Sequence, residues 1–285
     1  MLSKKEKLFA AVENLGGLVC PSCGGNLLRR EDSLVCPQGH CLNVNRRGTL
    51  NVLSESRKDE YRSELFEARS RVFAAGLYDP VAKAIEDLLP ERNHRLLDAG
   101  CGEGWYLNRL LSAHSTWTGA GVDISRDAIR LASDQPCTTL WCVADLRRLP
   151  FADGTFSAVL DILTPAGYYE FARVLAPDGL LVKVYPGRDY LRELREARGL
   201  PLYEEGDVEA YLRTKTAVTG ERHVHQAWEI TSDLWHDLLR MTPMNRDLTE
   251  ETLAELDKTP SPAVTIDLHI VSALPTATQK RKFPK

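Results

Sequence analysis

The sequence predicts an α/β protein in which helices cover a parallel sheet, preceded by a small module that an apolar core alone cannot hold together. From residue 95 onward, five strand-like runs alternate with helix-like stretches. Repeated β–α units of this kind produce a parallel sheet with helices on its faces. Residues 18–53 instead combine short β-type pieces with Cys, Gly, Pro and Asn. A segment this small buries too little apolar surface to fold without a further source of stability.

Composition places the chain among ordinary globular proteins. Of its 285 residues, 43% are hydrophobic and 27% are charged, which excludes a disordered chain, a collagen-like repeat and a disulfide scaffold. No apolar run approaches the ~18 residues of a membrane-spanning helix. The N-terminal run LFAAV is too short for the apolar core of a signal peptide. We therefore expect a cytoplasmic protein that has no membrane partner.

The net charge of −4 is unevenly distributed along the chain. Residues 1–62 hold 10 Lys/Arg and 7 Asp/Glu, a net +3, whereas the remainder holds 26 and 33, a net −7. A surface for nucleic acid, if the protein has one, is therefore expected toward the N-terminal part.

The predicted elements follow in order. A first helix covers residues 3–14, where Ser3 and Glu6 have capping-box spacing and Leu8, Val12 and Leu15 share a face. A second helix covers residues 63–75. After the five strands, a charged helix and an irregular stretch reach about residue 216, and two late strands and two further helices complete the domain. The predicted parts are a helical extension, the small module, bridging helices, the α/β domain and a flexible tail, at 1–17, 18–58, 59–94, 95–275 and 276–285.

Two pairs of metal-ligand side chains lie in the small module. Cys20 and Cys23 form the first pair, and Cys36 and His40 form the second, in the pattern C-x2-C-x12-C-x3-H. This is the spacing of a zinc-ribbon-like module, and sulfur and imidazole ligands suit tetrahedral Zn2+. Four protein ligands leave no position for water, so the predicted zinc is structural and supplies folding energy. Cys41 is an alternative fourth ligand, and buried thiols with a redox C-x-x-C are the alternative to a metal site.

A glycine-rich turn follows the first strand of the α/β domain and opens a helix. Its candidate ligand-binding residues are Asp98, Gly100, Gly102, Glu103 and Gly104. Glycines let the backbone approach a ligand closely, and a helix N-terminus offers free N–H groups. The spacing D-x-G-x-G-x-G differs from the dinucleotide pattern G-x-G-x-x-G. The leading carboxylate would repel a pyrophosphate but suits an ammonium and a sulfonium, so the turn predicts S-adenosylmethionine (SAM) rather than NAD.

Two further acidic residues end the next two strands. Asp123 closes the second strand, where a carboxylate accepts both ribose hydroxyls, and Asp145 closes the third, in reach of the adenine amino group. Because the carboxyl ends of parallel strands meet at one crevice, these residues are expected to converge with Asp98. The alternative for each is an N-cap of the following helix.

Polar side chains also stand within two other strands. Asp161 interrupts the apolar run AVLDIL, and a buried carboxylate must be paired or functional. It is either a base or positioning group for a methyl acceptor, or the partner of an Arg. His223 and His225 alternate on a late strand and share a face. A solvated sheet edge is the favoured interpretation, with a second metal or acid–base site as the alternative.

Taken together, the cysteine module and the glycine turn resemble the RlmA family, the bacterial 23S rRNA (guanine-N1)-methyltransferases. The resemblance covers roughly residues 18–272 and rests on CPSC, CPQGH, ELFEARSRVFAAGLYDP, LDAGCGEG, GVDIS, RLPF, ARVLAPDG and MTP. It implies a SAM-dependent methyltransferase (Rossmann-like) fold with an N-terminal zinc-ribbon-like module. The implied zinc ligands are Cys20, Cys23, Cys36 and His40, and the implied SAM contacts include Tyr78, Gly102 and Glu103. Tyr190 stands at a cofactor-side position where the family often has His.

The resemblance implies methyl transfer from SAM to N1 of a guanine in a 23S rRNA hairpin. Family members modify one of two neighbouring guanines, and some confer macrolide resistance, but these motifs do not choose between the two. Guanine N1 carries a proton at neutral pH, so a general base is useful, and Asp161 is the candidate. The resemblance also implies pairing as a homodimer, although no apolar stripe identifies an interface. The module and bridge would bind RNA through basic residues, namely Arg29, Arg30, Arg46, Arg47, Arg57, Lys58, Arg62, Arg69 and Arg71. For the four arginines of the module, the alternative is plain solvated charge.

Three other functions stay open at this point. The chain fits a SAM-dependent methyltransferase of a small molecule with a purely structural zinc. It also fits a SAM-binding RNA-binding protein without catalysis. The third alternative is a zinc-dependent protein-interaction module on a degenerate fold.

Overall fold

The computed structural model describes residues 2–53, 63–204 and 206–276. The helices are α1 (Lys4–Leu15), α2 (Ser63–Ala74), α3 (Asp79–Leu88), α4 (Trp105–Ala113), α5 (Arg126–Ala132), α6 (Tyr168–Val174), α7 (Arg192–Ala197), α8 (Asp207–Lys215), α9 (Ser232–Met241) and α10 (Glu250–Asp257). The strands are β1 (Leu28–Arg30), β2 (Ser33–Val35), β3 (Cys41–Asn43), β4 (Thr49–Asn51), β5 (Arg95–Ala99), β6 (Thr118–Asp123), β7 (Leu140–Val143), β8 (Phe156–Ile162), β9 (Leu175–Pro186), β10 (Thr216–Glu229) and β11 (Ala263–Pro275). Among the described residues, no helix is long and apolar enough to cross a membrane.

An eight-stranded sheet forms the centre of the molecule. Its strand order is β10-β11-β9-β8-β5-β6-β7-β4. The strands from β9 to β4 in this order pair in parallel, whereas β11 runs antiparallel to β9 and β10 antiparallel to β11. The predicted α/β class and strand–helix alternation are confirmed. The carboxyl ends of β5, β6 and β7 lie side by side at one edge, where a crevice for a ligand is expected in such sheets.

Both faces of the sheet are covered by apolar cores. Successive residues of a strand point to opposite faces. Leu96 and Leu160 belong to a core that includes side chains of α2, α3, α4 and α9. Leu97 and Val159, their neighbours in sequence, belong to a second core with side chains of α1, α6 and α8. Burial on both faces explains why these strands are continuous apolar runs rather than alternating ones.

The N-terminal module is built on a small sheet of its own. Strands β1, β2 and β3 form a three-stranded antiparallel sheet. Strand β4 lies within the segment 18–58 assigned to the module, but it pairs in parallel with β7 in the large sheet. The Val19 N–H donates to the Pro150 carbonyl at 3.0 Å, and the Ala152 N–H donates to the Gly17 carbonyl at 2.8 Å. The module is therefore attached directly to the large sheet.

Helix α1 begins where the capping pattern predicts. The Ser3 hydroxyl accepts a hydrogen bond from the Glu6 N–H at 3.2 Å, which satisfies one of the free donors of the first turn. The Glu6 carboxylate turns to Arg29 on β1 instead, with N–O distances of 2.9 and 3.1 Å. The helix buries Leu8 and Phe9 and packs against β6 and β7. It thus links the small sheet to the large one.

The segment before β10 differs from the prediction. An irregular stretch was expected up to residue 216, but α8 occupies Asp207–Lys215. The helix buries only Leu212, so the apolar periodicity that identifies a helix is missing from its sequence. Residues 54–62, and residues 277–285 of the predicted tail, lie outside the described residues.

Candidate functional site

The glycine-rich turn joins β5 to α4 at the carboxyl edge of the sheet. The N–H groups of Gly100 and Cys101 donate to the Val122 carbonyl at 2.8 and 3.0 Å, which fixes the turn across the end of β6. Gly104 has φ +78°, and a Cβ built on it would lie 2.5 Å from the Trp141 ring. Only glycine combines this conformation with this approach. The glycine at position 104 therefore lets the turn pack directly against the Trp141 ring.

Three carboxylates crowd behind this turn. Asp98 and Glu103 are each 2% exposed. Burial, followed by the charges of Asp123, Glu103 and Asp161, raises the pKa of Asp98 to about 8. Burial raises the pKa of Glu103 to about 7, although the Arg69 charge opposes the shift. Burial also raises the pKa of Asp123. Asp123 makes ionisation of both Asp98 and Glu103 harder, so this part of the crevice favours a cation.

The structure brings Asp123 to the turn and rules out its role as a helix cap. Its carboxylate accepts the Gly102 N–H at 3.0 Å and the Ser125 N–H at 2.8 Å. Helix α5 is capped by the Ser125 hydroxyl, which accepts from the Ala128 N–H at 3.2 Å. Asp123 therefore holds the glycine turn against the end of β6, a position from which it faces the same crevice.

Asp145, by contrast, is engaged with a neighbour. Its carboxylate accepts the Arg147 N–H at 2.9 Å and the Arg147 guanidinium at 2.8 Å. Among the described residues, no helix begins directly after it, so the capping alternative does not apply here either. The carboxylate is still at the end of β7, the third of the adjacent parallel strands.

A group of tyrosine hydroxyls is buried close to Arg69 and Glu103. The hydroxyls of Tyr78 and Tyr190 lie 2.9 Å apart and are buried, and burial raises the pKa of Tyr190 to about 12. Within the described structure, the Tyr106 hydroxyl and Glu103 Oε2 are buried without a hydrogen-bond partner. Native proteins rarely leave such atoms unsatisfied. Donors and acceptors left open beside a glycine turn are expected where a polar ligand binds.

The sequence pattern did not identify Tyr106 or Arg69 as part of this site. Arg69 was assigned to a basic surface, but its Nη1 lies 3.9 Å from Glu103 Oε2 and its Nη2 donates to the Met241 carbonyl at 3.2 Å. The sequence did contain a signal for Arg69. Its helical spacing places it on the apolar face of α2 with Phe66 and Val72, where a surface arginine is not expected.

Asp161 lies on the opposite face of the sheet from Asp98. Its neighbours Leu160 and Ile162 belong to the core over α3 and α4, so its own side chain points the other way. It is fully buried, and Lys183 Nζ lies 3.0 Å from Asp161 Oδ2. Burial raises the pKa of Asp161 to about 6, against the effect of Lys183. The pair expected with an Arg is therefore made with a Lys, and the role as a base stays a prediction.

The cysteine module brings four ligand atoms together. The sulfur atoms of Cys23 and Cys36 lie 3.6 Å apart, and Cys36 Sγ lies 3.4 Å from His40 Nδ1. Cys20 belongs to the same cluster, whose ligand atoms all lie within 4.8 Å of one another. Zinc–sulfur bonds of ~2.3 Å in a tetrahedron place sulfur atoms about 3.8 Å apart. The donor set and its spacing are thus compatible with zinc.

Cys41 does not join this cluster. It is exposed, and its sulfur contacts Asn43 Oδ1 at 3.8 Å. His40 is the side chain that stands beside Cys36, which decides between the two alternatives for the fourth position. A C-x-x-C redox site does not account for His40 and Cys36 converging on the same point.

The basic residues of the module are only partly free. Arg29 pairs with Glu6 and stacks on Phe9, with 4.1 Å from its guanidinium to the ring centre. Arg71 on the bridge helix pairs with Asp237. Arg30 and Arg46 are exposed. The proposed basic residues Arg57, Lys58 and Arg62 lie outside the described residues.

Comparison with known proteins gives the class and then the family. Residues 96–179 match the family described as "Methyltransferase domain". With the Rossmann-like sheet and the glycine turn, this match defines a SAM-dependent methyltransferase. A solved Bacillus subtilis structure, YcgJ, superposes with a TM-score of 0.48 at 16% identity and covers 69% of this chain and 98% of that one.

Two relatives match over most of the chain. A Bacillus subtilis (strain 168) protein named "Putative 23S rRNA (guanine-N(1)-)-methyltransferase YxjB" is 36% identical over 271 residues, which is 88% of this chain and 95% of that protein. A Streptomyces fradiae protein named "23S rRNA (guanine(748)-N(1))-methyltransferase" is 27% identical over 247 residues, which is 83% and 88% of the two chains. This chain belongs to the family of 23S rRNA (guanine-N1)-methyltransferases, and the resemblance predicted from the two motifs is confirmed.

Proposed function

We propose that this chain transfers the methyl group of SAM to N1 of a guanine in a hairpin of 23S rRNA in the cytoplasm. The observation that supports it most is the group of buried carboxylates, Asp98, Glu103 and Asp123, whose pKa values are raised beside a bare glycine turn. A ligand that carries a sulfonium and an ammonium satisfies this group, whereas a pyrophosphate does not. The names of the relatives supply the substrate.

The chain's own residues fit this cofactor in separate roles. Asp98, Glu103 and the N–H groups of the glycine turn would hold its charged end, with Gly100, Gly102 and Gly104 allowing close approach. Asp123 and Asp145 would hold the ribose and adenine groups. Tyr78 and Tyr190 would contact it from the bridge and from the segment after β9. SAM supplies an electrophilic methyl group, so much of the protein's contribution is to position the acceptor.

The acceptor places two demands on the chain. Guanine N1 lies on the Watson–Crick edge, so the base must leave its pair or come from a loop. The N1 proton must also be removed before attack, for which Asp161 is the proposed base. In the proposed division of labour, the N-terminal module holds one structural zinc at Cys20, Cys23, Cys36 and His40 and contacts RNA phosphates through exposed arginines such as Arg30 and Arg46.

A methylation assay on 23S rRNA fragments tests this function. Purified protein, SAM and an unmodified fragment should give one methyl group on a guanine by mass spectrometry. Reverse transcription should stop at that guanine, because a methyl group on N1 blocks base pairing. Asp98→Asn removes a charged contact worth about 1.5–3 kcal/mol, so SAM affinity should fall roughly 10- to 100-fold.

The matched control is Asp153→Asn, which changes an exposed carboxylate in a turn and should leave methylation unchanged. Fragments that stay unmethylated by the wild-type protein would contradict the proposal. Methylation that does not stop reverse transcription would place the methyl group on a different atom.

A further inference from the structure

A second cluster of metal-ligand side chains lies at the sheet edge formed by β10 and β11, outside the cofactor site. His223 and His225 alternate on β10 and share a face. Across the strand pair, His223 stands opposite His269, and His225 stands opposite Asp267. Asp189, in the segment after β9, completes the group. The cluster therefore contains three imidazoles and two carboxylates from three parts of the chain.

Short distances connect these side chains. His223 Nε2 lies 2.6 Å from Asp267 Oδ1, and His225 Nε2 lies 3.2 Å from Asp189 Oδ2. The Asp189 N–H donates to Asp267 Oδ2 at 2.8 Å. The candidate ligand atoms of Asp189, His225 and Asp267 all lie within 4.8 Å of one another. Small side-chain rotations are enough to bring them around one ion.

Asp267 is the unusual member of the cluster. It is 3% exposed, and in the described part of the chain it forms an ion pair with His223 but with no Lys or Arg. Gly187 makes room for it, since a Cβ at that position would lie 2.4 Å from Asp267 Oδ1. A buried carboxylate is costly unless its charge is compensated, and a cation bound beside Asp267 would compensate it.

We propose that Asp189, His225 and Asp267, whose ligand atoms lie together, bind a divalent first-row cation, with Zn2+ as the expected ion. Two carboxylates balance the two positive charges, and neutral imidazole and carboxylate ligands suit zinc. The rings of His223 and His269 stack in parallel, 4.2 Å apart at 7°, and their ligand atoms form a second group with Asp267. His223 contacts Asp267 through Oδ1 and would hold this carboxylate in place beside the proposed ion.

Other charges around the cluster leave the ligand atoms available. Arg192 Nη1 approaches Asp189 at Oδ1, 3.9 Å away, whereas His225 is at Oδ2. The side chains of His223 and His225 are each 48% exposed, so an ion can enter from solvent. The outer side of the site stays open to water or a further oxygen ligand, as in zinc sites that are not fully enclosed.

The ion would also fix the segment that carries Tyr190. Asp189 precedes Tyr190, whose hydroxyl lies 2.9 Å from that of Tyr78. Binding at Asp189 would thus hold the tyrosine pair in place. This consequence depends on the proposed cofactor role of Tyr190, but the metal site itself does not.

Cobalt titration of the full-length protein loaded with a single equivalent of Zn2+ tests the site. The thiolates of the cysteine module take up that equivalent in preference to the imidazole and carboxylates of the β10–β11 cluster, so added Co2+ reports the cluster alone. We expect one equivalent to bind with the visible absorption of cobalt on nitrogen and oxygen ligands and without a thiolate charge-transfer band. His225→Gln and Asp189→Asn should each weaken binding about tenfold or more, because even changes to groups that support a ligand cost 10- to 100-fold.

The matched control is His236→Gln. His236 also pairs with a carboxylate, Asp257, at 2.8 Å, and its side chain is 49% exposed, but it has no place in the cluster. This variant should bind cobalt like the wild type. The proposal is overturned if the zinc-loaded protein takes up no cobalt or zinc at this site, or if binding is the same in His225→Gln and Asp189→Asn.

Discussion

Asp98 is a buried carboxylate close to other buried carboxylates. Burying these groups together lowers the stability of the folded protein, so folding alone does not explain the arrangement. The Asp98 pKa of about 8 means that the carboxyl group holds a proton at neutral pH. In the cofactor-free protein, a proton neutralises the Asp98 carboxylate. When the proposed cofactor binds, its positive charge would replace that proton. The unfavourable environment is therefore informative about the ligand.

The affinity for SAM should depend on pH because of this proton. An unfolded Asp titrates near 3.8, so between that value and about 8 the folded chain binds more protons than the unfolded chain. The free energy of unfolding then falls as pH rises through this window. Binding of a cation releases the proton, so affinity should rise between about pH 6 and pH 8, by up to about tenfold per pH unit.

Calorimetry in buffers of different ionisation enthalpy measures the proton release directly. S-adenosylhomocysteine, which lacks the sulfonium charge, should show a weaker pH dependence, and Asp98→Asn should keep only the part that Glu103, with a pKa of about 7, contributes. Equal SAM affinity at the two ends of this pH range would contradict the assigned role of Asp98.

Asp161 is the residue at which geometry and proposed chemistry differ most. Its partner Lys183 also donates to the Thr164 carbonyl at 2.5 Å, so the pair holds the segment that follows β8. If Asp161 is the base, Asp161→Asn should slow methyl transfer about 100-fold while SAM affinity stays within about threefold of the wild type. The rate should also lose the pH limb that corresponds to a pKa of about 6.

A purely structural pair gives a different result. The variant would then melt at a lower temperature but keep both the rate and its pH limb. Thermal melting and a pH–rate profile of the same preparation separate the two outcomes.

At the scale of elements, the parallel strands could be predicted because each one is an apolar run between turn residues. The start of α1 could also be predicted, since a capping residue acts within one turn. The pairing of β4 could not, because this β-type piece finds its partner β7 only through contacts distant in the sequence. Helix α8 was missed for a related reason: its polar residues face solvent and only Leu212 is buried. Sequence patterns therefore predict an element well where the interactions that form it join residues close together in the sequence.

The residues of the candidate site divide in the same way, into those that sequence patterns can place and those whose positions depend on distant contacts. Acidic residues at strand ends could be placed together from topology alone. The neighbours Arg69 and Tyr106 could not, because their positions depend on how α2 and α4 pack over the turn. The face on which Asp161 lies also required the register between strands.

The turn between β5 and α4 gives an element-scale prediction. Gly104→Ala places a Cβ 2.5 Å from Trp141 at φ +78°. Strain in this conformation costs about 1–2 kcal/mol, and overpacking adds about 1–3 kcal/mol. We expect the free energy of unfolding to fall by the sum and SAM binding to weaken, as measured by denaturant unfolding and calorimetry.

Gly199→Ala isolates the conformational part of this cost. Gly199 has φ +68°, but its Cβ would meet nothing within 4 Å, so only the strain applies. If both variants lose the same stability, the contact between the turn and Trp141 does not constrain the loop.

At the scale of the whole molecule, the N-terminal module and the large sheet share structure. Helix α1 packs on β6 and β7 while its Glu6 pairs with Arg29 of the small sheet. Strand β4 extends the large sheet from within the module segment. The net charge also differs between the two parts of the chain. The segment before residue 63 has a basic excess, and the rest of the chain has an acidic excess. The cofactor and the RNA are thus expected to contact different halves of one connected body.

Loss of the proposed zinc should therefore separate RNA recognition from cofactor binding. Cys23→Ser removes one of the four clustered ligands, and we expect about one zinc per wild-type chain and less than a tenth of that in the variant. The three-stranded sheet should lose its order, because metal binding supplies its folding energy. RNA affinity and methylation should fall, whereas SAM binding should persist, since the glycine turn and its carboxylates belong to the large sheet.

Cys41→Ser is the control, since Cys41 is exposed and stands outside the cluster. It should keep its zinc and its activity. Elemental analysis, calorimetry with SAM and binding to labelled rRNA fragments at several salt concentrations give the three readings. Unchanged zinc in Cys23→Ser would contradict the metal cluster, and unchanged RNA binding after zinc loss would assign RNA recognition to another surface. A loss of SAM binding equal to that of RNA binding would show that α1 and β4 transmit the collapse of the module to the large sheet.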